Sequence, residues 1–342
     1  MRETSVVFRV AGSPSGGFGH IRRCWTLASH LRNFVGRIGF IASTPEAAQV
    51  LRKAGFETCE EPSPSSIETT LRVLHLIPSK KLCVADDPSL TTSDLERLSK
   101  AAATICIDDT CEREFPVEMA INGSAGAQSL PYRGRRDTRF LLGSDYIMLR
   151  PCFEHPPQRR WTHEPPKRIL VLTGGGEAGP LSEMIVRIVR GSLPKIRIDV
   201  VGGPLGFGIS KTAEQTAGVT AHRNPDDIRS LMLAADIAVS GGGQTAYELA
   251  ATATPTLGIL AAPNQHVNLK GLASAGTLQD LGSPEDPAFE KKLREAVLHL
   301  AGDPHKRRWM GEAGRFLVDG KGTRRVADEI LHLIEEKELT RS

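Results

Sequence analysis

The first group in this chain with the means to move a proton is His20, which closes the run Gly16-Gly17-Phe18-Gly19-His20. That run follows the apolar segment Val6-Val7-Phe8-Arg9-Val10 and precedes a helical pattern. A glycine turn at a helix start directs unpaired backbone N–H groups at whatever occupies it, which makes an anion nest. An imidazole there titrates near neutrality and can take a proton from water or from a sugar hydroxyl. The plain alternative is a histidine whose ring is satisfied by neighbouring backbone. Its place directly after Gly-Phe-Gly makes burial difficult, so catalysis is the expectation.

A second constellation follows far downstream. Ser240-Gly241-Gly242-Gly243-Gln244-Thr245 leads into Ala246-Tyr247-Glu248-Leu249. Three glycines after a strand let the backbone approach a diphosphate, and the next helix offers its N-terminus to the charge. Glu248, one turn in, is placed to accept from ribose hydroxyls. Without GxGxxG spacing the turn could equally be a simple chain reversal. Asn264-Gln265-His266-Val267-Asn268 opens another helix. Its amides suit sugar hydroxyls or acetamido groups, while Asn264 could also serve as an N-cap. Two acidic pairs, Asp86-Asp87 and Asp108-Asp109, end strand-like segments. Neither has the DxD spacing of metal-dependent sugar transferases, so no metal is expected. Asp87 is the member expected to touch substrate, and Asp108-Asp109 is expected to satisfy a turn.

The elements that must position these groups alternate along the chain, the pattern of parallel sheets with crossover helices. Strands are expected at 6–10, 37–41, 82–85 and 104–107, and helices at 21–34, 47–54 and 92–102. On the first helix Ile21, Cys24, Trp25, Ala28 and Leu31 form the expected core stripe. A proline-rich stretch, 156–166, reads as a linker. The pattern then restarts with a strand at 168–172 and a second glycine turn, Thr173-Gly174-Gly175-Gly176-Glu177. Further units continue to residue 275, and the tail from 290 to 339 is helical, its last part expected to pack back on the first domain. The expectation is an α/β chain of two doubly wound Rossmann-like domains, 1–156 and 167–342, facing across a cleft, with strand C-termini carrying the site.

Composition narrows the partners. The 342 residues, 40% hydrophobic, suffice for two cores. With 43 Lys+Arg against 40 Asp+Glu the net charge is +3, which gives no general affinity for nucleic acid. Basic runs at 133–139 and 305–308 read as solvated surface. The six cysteines all lie in the first half with no CxxC, and they suit buried free thiols better than disulfides or zinc. The N-terminus enters a strand directly without a signal-peptide pattern, and no segment reaches a membrane span. A cytoplasmic protein, monomer or homodimer, without stable membrane association, is expected.

Together these motifs point to a family. Phe8-Arg9, then Gly16-Gly17-Phe18-Gly19-His20-Ile21-Arg22-Arg23-Cys24 and Leu27-Ala28, resemble the UDP-sugar hydrolase of pseudaminic acid biosynthesis (PseG) and its spore-coat polysaccharide (SpsG) relatives, within the B-type glycosyltransferase (GT-B) superfamily. Ile107-Asp108-Asp109, the segment 142–153, Gly174-Gly175, 240–248 and Asn264-Gln265 match further landmarks in order. The resemblance spans residues 6 to about 280. It implies a hydrolase without cofactor or metal that removes UDP from an acetamido-deoxy hexose by water attack at the anomeric carbon, with inversion. His20 would be the base. Glu248 would bind the ribose, and Gly242, Gly243, Gln244 and Thr245, with Gly174 and Gly175, the diphosphate. Arg9, Gly17, Gly19, Asp87, Asn264, Gln265 and Asn268 would line the sugar. Two positions depart from the family pattern: Ala11 stands where an acidic or amide residue is usual, and Asp86-Asp87-Pro88-Ser89 replaces Asp-x-Tyr-Gly. The sugar could therefore differ. A metal-independent glycosyltransferase resembling the enzyme that forms lipid II, or a silent nucleotide-sugar binder, are the alternatives.

Overall fold

A computed structural model describes residues 3–12, 19–61, 63, 66–78, 80–173, 179–203 and 208–339. Two compact units emerge, one comprising Met1–Arg150 and Lys321–Ser342, the other Pro151–Gly320.

The first unit runs β1 (Ser5–Val10), α1 (Gly19–Leu31), β2 (Arg37–Ala42), α2 (Pro45–Lys53), β3 (Glu57–Glu60), α3 (Glu68–Leu76), β4 (Lys81–Asp86), α4 (Thr92–Ala101), β5 (Ala103–Ile107), β6 (Met119–Asn122) and β7 (Arg139–Leu142). The strands form one parallel sheet in the order β3-β2-β1-β4-β5-β6-β7. Burial on both faces explains their near-continuous apolar runs. Val6, Phe8 and Val10 face one core and Val7 the other. Helix starts are encoded locally: Thr44 accepts from the Ala47 amide with Pro45 in the first turn, and Thr91 and Asp94 cap each other reciprocally.

The second unit runs β8 (Arg168–Leu172), α5 (Gly179–Ser192), β9 (Arg197–Gly202), α6 (Lys211–Gln215), β10 (Val219–Arg223), α7 (Ile228–Ala234), β11 (Ile237–Gly241), α8 (Gln244–Ala251), β12 (Thr256–Ile259), α9 (His266–Ser274), β13 (Leu278–Asp280), α10 (Phe289–Gly302) and α11 (Pro304–Leu317). Its parallel sheet has the order β10-β9-β8-β11-β12-β13. In each unit the order reverses beside the first strand, between β1 and β4 and between β8 and β11. Open α/β sheets keep their ligands at such switch points, beyond the strand C-termini.

Several expectations need correction. The last helix, α12 (Gly322–Leu339), packs on the first unit as expected of the end of the tail, so the domain bounds 167–342 include a segment that belongs to the first unit. Its Val326, Ala327, Ile330, Leu333 and Ile334 complete the core under α1. The stretch read as a linker lies within the second unit, tied to it by arginine–carbonyl hydrogen bonds in both directions. Arg159 donates to the carbonyls of Met232 and Ala235 and to Thr254 Oγ1, while Arg315 and Arg307 bind the carbonyls of Pro157 and Glu164. Burial lowers the Arg159 pKa to about 10. Arg307, part of a run read as solvated, is 5% exposed. Trp25 is exposed rather than core, since consecutive helical residues point about 100° apart. Leu27 takes its place in the stripe. Among the cysteines, all free, Cys24, Cys83 and Cys106 are buried while Cys59 and Cys152 are exposed.

Candidate active site and relatives

In the first unit, the site is built where β1 and β4 run side by side. Parallel pairing sets Val10 opposite Asp86, the last residue of β4. The turn after β1 leads to α1, whose second residue is His20. Its imidazole is therefore delivered to the end of β4, with Nδ1 2.7 Å from Asp86 Oδ1. Asp86 is almost fully buried and His20 keeps 13% of its side chain exposed. The next turn of α1 adds Arg23. Its Nε and Nη2 donate to the two oxygens of Asp86, each at 2.6 Å, and Nη1 donates to Asp109 Oδ1 at 2.7 Å. The Cys24 thiol donates a fourth bond to Asp86, 3.3 Å long.

These contacts fix charge and tautomer together. Burial favours the neutral form of His20, but the Asp86 carboxylate and its hydrogen bond outweigh it, so the pKa is raised above the usual 6.5 although Arg23 opposes this. Asp86 is held far below the ordinary carboxylate range despite its burial, by Arg23 first and His20 second. Arg23 Nη2 also lies 2.9 Å from His20 Nδ1. An arginine can only donate, and Asp86, ionised, can only accept. Nδ1 thus carries the proton it gives to Asp86, and the Arg23 approach is a close contact rather than a bond. The Nε2 nitrogen, without a partner among the described residues, is the basic one.

The acidic pairs divide differently from expectation. Asp86, not Asp87, meets the histidine. Asp87 is 5% exposed and turns inward, accepting from the Ser89 amide and hydroxyl and lying 2.9 Å from Arg9 Nη2. Arg9, fully buried, also meets Glu61 and Thr70 at 3.3 Å. As placed, neither Arg9 nor Asp87 presents a surface to a sugar. Asp108 satisfies a turn as expected, accepting from the amides of Thr110 and Cys111. Asp109 does not, because it is Arg23's second partner. Gly19 opens α1 beside His20 with open space around its Cα. Gly17 lies outside the described residues.

In the second unit, β11 ends at Gly241 and α8 begins at Gln244 after Gly243, which caps the helix with no side-chain bond. Its first turn, with Gln244 and Thr245, therefore has no side-chain cap at its positive end. The packing is close at Gly242, where a Cβ would lie 3.1 Å from Leu269 Cβ. Glu248 is 3% exposed. Gln265 Oε1 accepts from the Gly242 amide at 3.0 Å, which makes Gln265 a brace for the glycine turn. Asn268 Oδ1 accepts from the buried Tyr247 hydroxyl at 2.6 Å, tying α9 to α8. Asn264 is exposed, and Gln265, not Asn264, occupies the cap position of α9. Gly174 and Gly175 lie outside the described residues.

No family model matches the chain. Over 228 residues it is 26% identical to the spore coat polysaccharide biosynthesis protein SpsG of Bacillus subtilis, covering 64% of this chain and 66% of that protein. Over 271 residues it is 26% identical to the pseudaminic acid cytidylyltransferase and UDP-2,4-diacetamido-2,4,6-trideoxy-beta-L-altropyranose hydrolase of Helicobacter pylori, covering 77% of this chain and 45% of that protein. The matches thus span about two thirds of one relative's length and under half of the other's. Among solved structures, MurG of Acinetobacter baumannii superposes with a TM-score of 0.64 at 13% identity, over 96% of this chain and 99% of that one. MnaA of S. aureus with UDP gives 0.67 at 13% identity, over 98% and 97%. The chain is thus similar in sequence to SpsG and to a PseG-like protein, and its fold is that of the GT-B glycosyltransferases.

In this PseG- and SpsG-like chain the residues missed by sequence reasoning are Asp86, Arg23 and Asp109 in one unit and Tyr247 in the other. A signal for Asp86 did exist, since the doubly wound order sets the fourth strand beside the first. Among the described residues no helix is long and apolar enough to cross a membrane.

Proposed function

We propose that the protein is a hydrolase that releases UDP from a UDP-linked acetamido-deoxy hexose, with inversion at the anomeric carbon. The observation that carries this reading is the His20–Asp86 pair. A base needs one ring nitrogen fixed as donor so that the other is a directed acceptor, and the 2.7 Å bond to a buried carboxylate supplies that. Water gives a proton to Nε2 as its oxygen bonds to the anomeric carbon. The bond from that carbon to the diphosphate oxygen breaks, and its electron pair leaves with UDP. The imidazolium formed is stabilised by Asp86. The second unit binds the nucleotide, with the first turn of α8 taking the diphosphate and Glu248 the ribose. One relative, matched over 45% of its length, is named in part as a hydrolase of a UDP-diacetamido sugar, which supports this substrate class.

Transfer to an acceptor hydroxyl would use the same base, and the shared fold of glycosyltransferases such as CalG4 favours keeping it as the second reading. Incubation with UDP-N-acetylhexosamines in buffer alone separates them. Hydrolysis predicts UDP release without acceptor, abolished in His20→Gln. Release that waits for an added acceptor would make the protein a transferase.

A further inference from the structure

Arg9, Glu61 and Asp87 form a buried three-charge cluster that the proposed chemistry does not use. Arg9 is 0% exposed, and the two carboxylate side chains 2% each. Such a cluster is a poor device for stability, because desolvating three ions offsets most of their attraction, and apolar side chains of similar volume commonly serve a fold as well. Its placement points elsewhere. Arg9 sits in β1, Glu61 directly after β3 and Asp87 directly after β4, with Thr70 of α3 as a fourth contact. The cluster therefore pins the C-terminal ends of strands that straddle the switch point.

Asp87 is joined by a peptide bond to Asp86, and consecutive residues of an extended chain turn to opposite faces. Asp86 turns to α1 and meets His20 and Arg23. Asp87 turns to the opposite face, toward α3 and the core containing Val7, and meets Arg9. The Arg9–Asp87 contact is close, 2.9 Å, but not aligned as a hydrogen bond, so it acts chiefly through charge. Beside it the Ala11 amide donates to the Asp86 carbonyl at 3.0 Å. The backbone of Asp86 is thus held from β1, and its neighbour's side chain is anchored beneath the sheet.

We infer that Arg9 is a positioning residue: by anchoring Asp87 and Glu61 it fixes the end of β4 so that the Asp86 carboxylate meets His20. This rests on the proposed role of His20 as base, but its test does not need turnover. The groups facing His20 are Asp86 at the end of β4, Arg23 on its own helix and Asp109 after β5. In a 13C-histidine-labelled full chain, with His20→Gln assigning the resonance, the His20 titration is followed by NMR in wild type and Arg9→Met. Two mechanisms give opposite signs. Loss of a cation alone would raise the His20 midpoint. Loss of Asp86 from its place would lower it, since Asp86 is what raises it.

The expected result is a lower midpoint in Arg9→Met, with Arg9→Lys between the two because a point charge keeps one carboxylate but not both. An unchanged or raised midpoint overturns the inference. Should Arg9→Met fail to fold, Arg9→Lys carries the test alone: it keeps the positive charge, so displacement of Asp86 is what would lower the midpoint, and an unchanged midpoint overturns the inference. If UDP release is found, kcat should fall about 10- to 100-fold, the scale of a misplaced catalytic group, with KM within about threefold. A raised KM with unchanged kcat would instead make Arg9 a substrate contact and overturn it. A protein that releases no UDP but shows the lowered midpoint refutes the function and leaves the positioning intact.

Discussion

Replacing Asp86 by asparagine keeps the shape of the side chain and removes the charge on which the His20 site is built. The His20 Nδ1–H donates to a charged acceptor at 2.7 Å, and such bonds contribute about 1.5–3 kcal/mol. At about 1.36 kcal/mol per tenfold, kcat/KM should fall about 10- to 150-fold. The pH profile should move as well. His20 is raised by Asp86 against burial and Arg23, so without the carboxylate the two lowering influences dominate. A base acts when deprotonated, so the acid limb of kcat/KM shifts to lower pH. Arg23 loses its bonds at Nε and Nη2 to a carboxylate but keeps Asp109. Breaking a buried pair costs about 3–5 kcal/mol, and at about 2–4 °C per kcal/mol Tm should drop by about 6–20 °C. The assay is UDP release across the neutral range, on protein held well below its Tm and checked for native circular dichroism. A limb that stays in place or moves up, or a kcat/KM within about twofold of wild type, would refute the reasoning.

Other substitutions test other parts of the site. His20→Gln should lower kcat by about 10²–10⁴-fold, the contribution of a positioned base, and leave UDP affinity by calorimetry unchanged. Glu248→Gln should weaken UDP binding by about 10-fold or more while leaving the His20 NMR titration in place. Gly242→Val should also weaken UDP binding, because a Cβ there already meets Leu269 at 3.1 Å and the turn must shift. Arg159→Met removes the donor to Ala235 O, Met232 O and Thr254 Oγ1, of which the last two keep other partners, and should destabilise the second unit by about 1–3 kcal/mol in urea unfolding, with kcat per folded molecule unchanged. The depressed pKa of Asp86 contributes stability that is complete above the unfolded carboxylate value and lost as pH falls through the native one. Acid unfolding should accordingly be less steep in Asp86→Asn.

Much of the architecture was legible because parallel sheets write themselves as apolar runs between amphipathic helices, and the glycine turns mark where strands hand over to helices. What escaped was set by contacts between distant parts of the chain. Asp86 meets His20 across 66 residues, and nothing in the local pattern distinguishes it from Asp87, one residue on. Side-chain alternation at the end of β4 decides which of the two turns to α1. The resemblance implied that Arg9 lines the sugar, yet here it is buried against Asp87 and Glu61. Pro156–Pro166 carries a linker's composition, but its own Arg159 binds the carbonyls of Met232 and Ala235, and Arg307 and Arg315 come from elsewhere to bind carbonyls within it. Gln265 and Asn268 are amides of the type that reads sugars, and here they brace Gly242 and Tyr247. The return of the tail to the first domain was legible, while the boundary at Lys321, which puts α12 wholly in the first unit, was not.

The central claim is that His20, oriented by Asp86, activates water against a UDP-linked sugar. It is tested most directly by incubating the protein with UDP-acetamido sugars and no acceptor, following UDP and the anomeric proton of the freed sugar by NMR. The account predicts UDP release with inverted configuration in wild type and none above background in His20→Gln. Release with retained configuration, or equal release from the His20 variant, would contradict it.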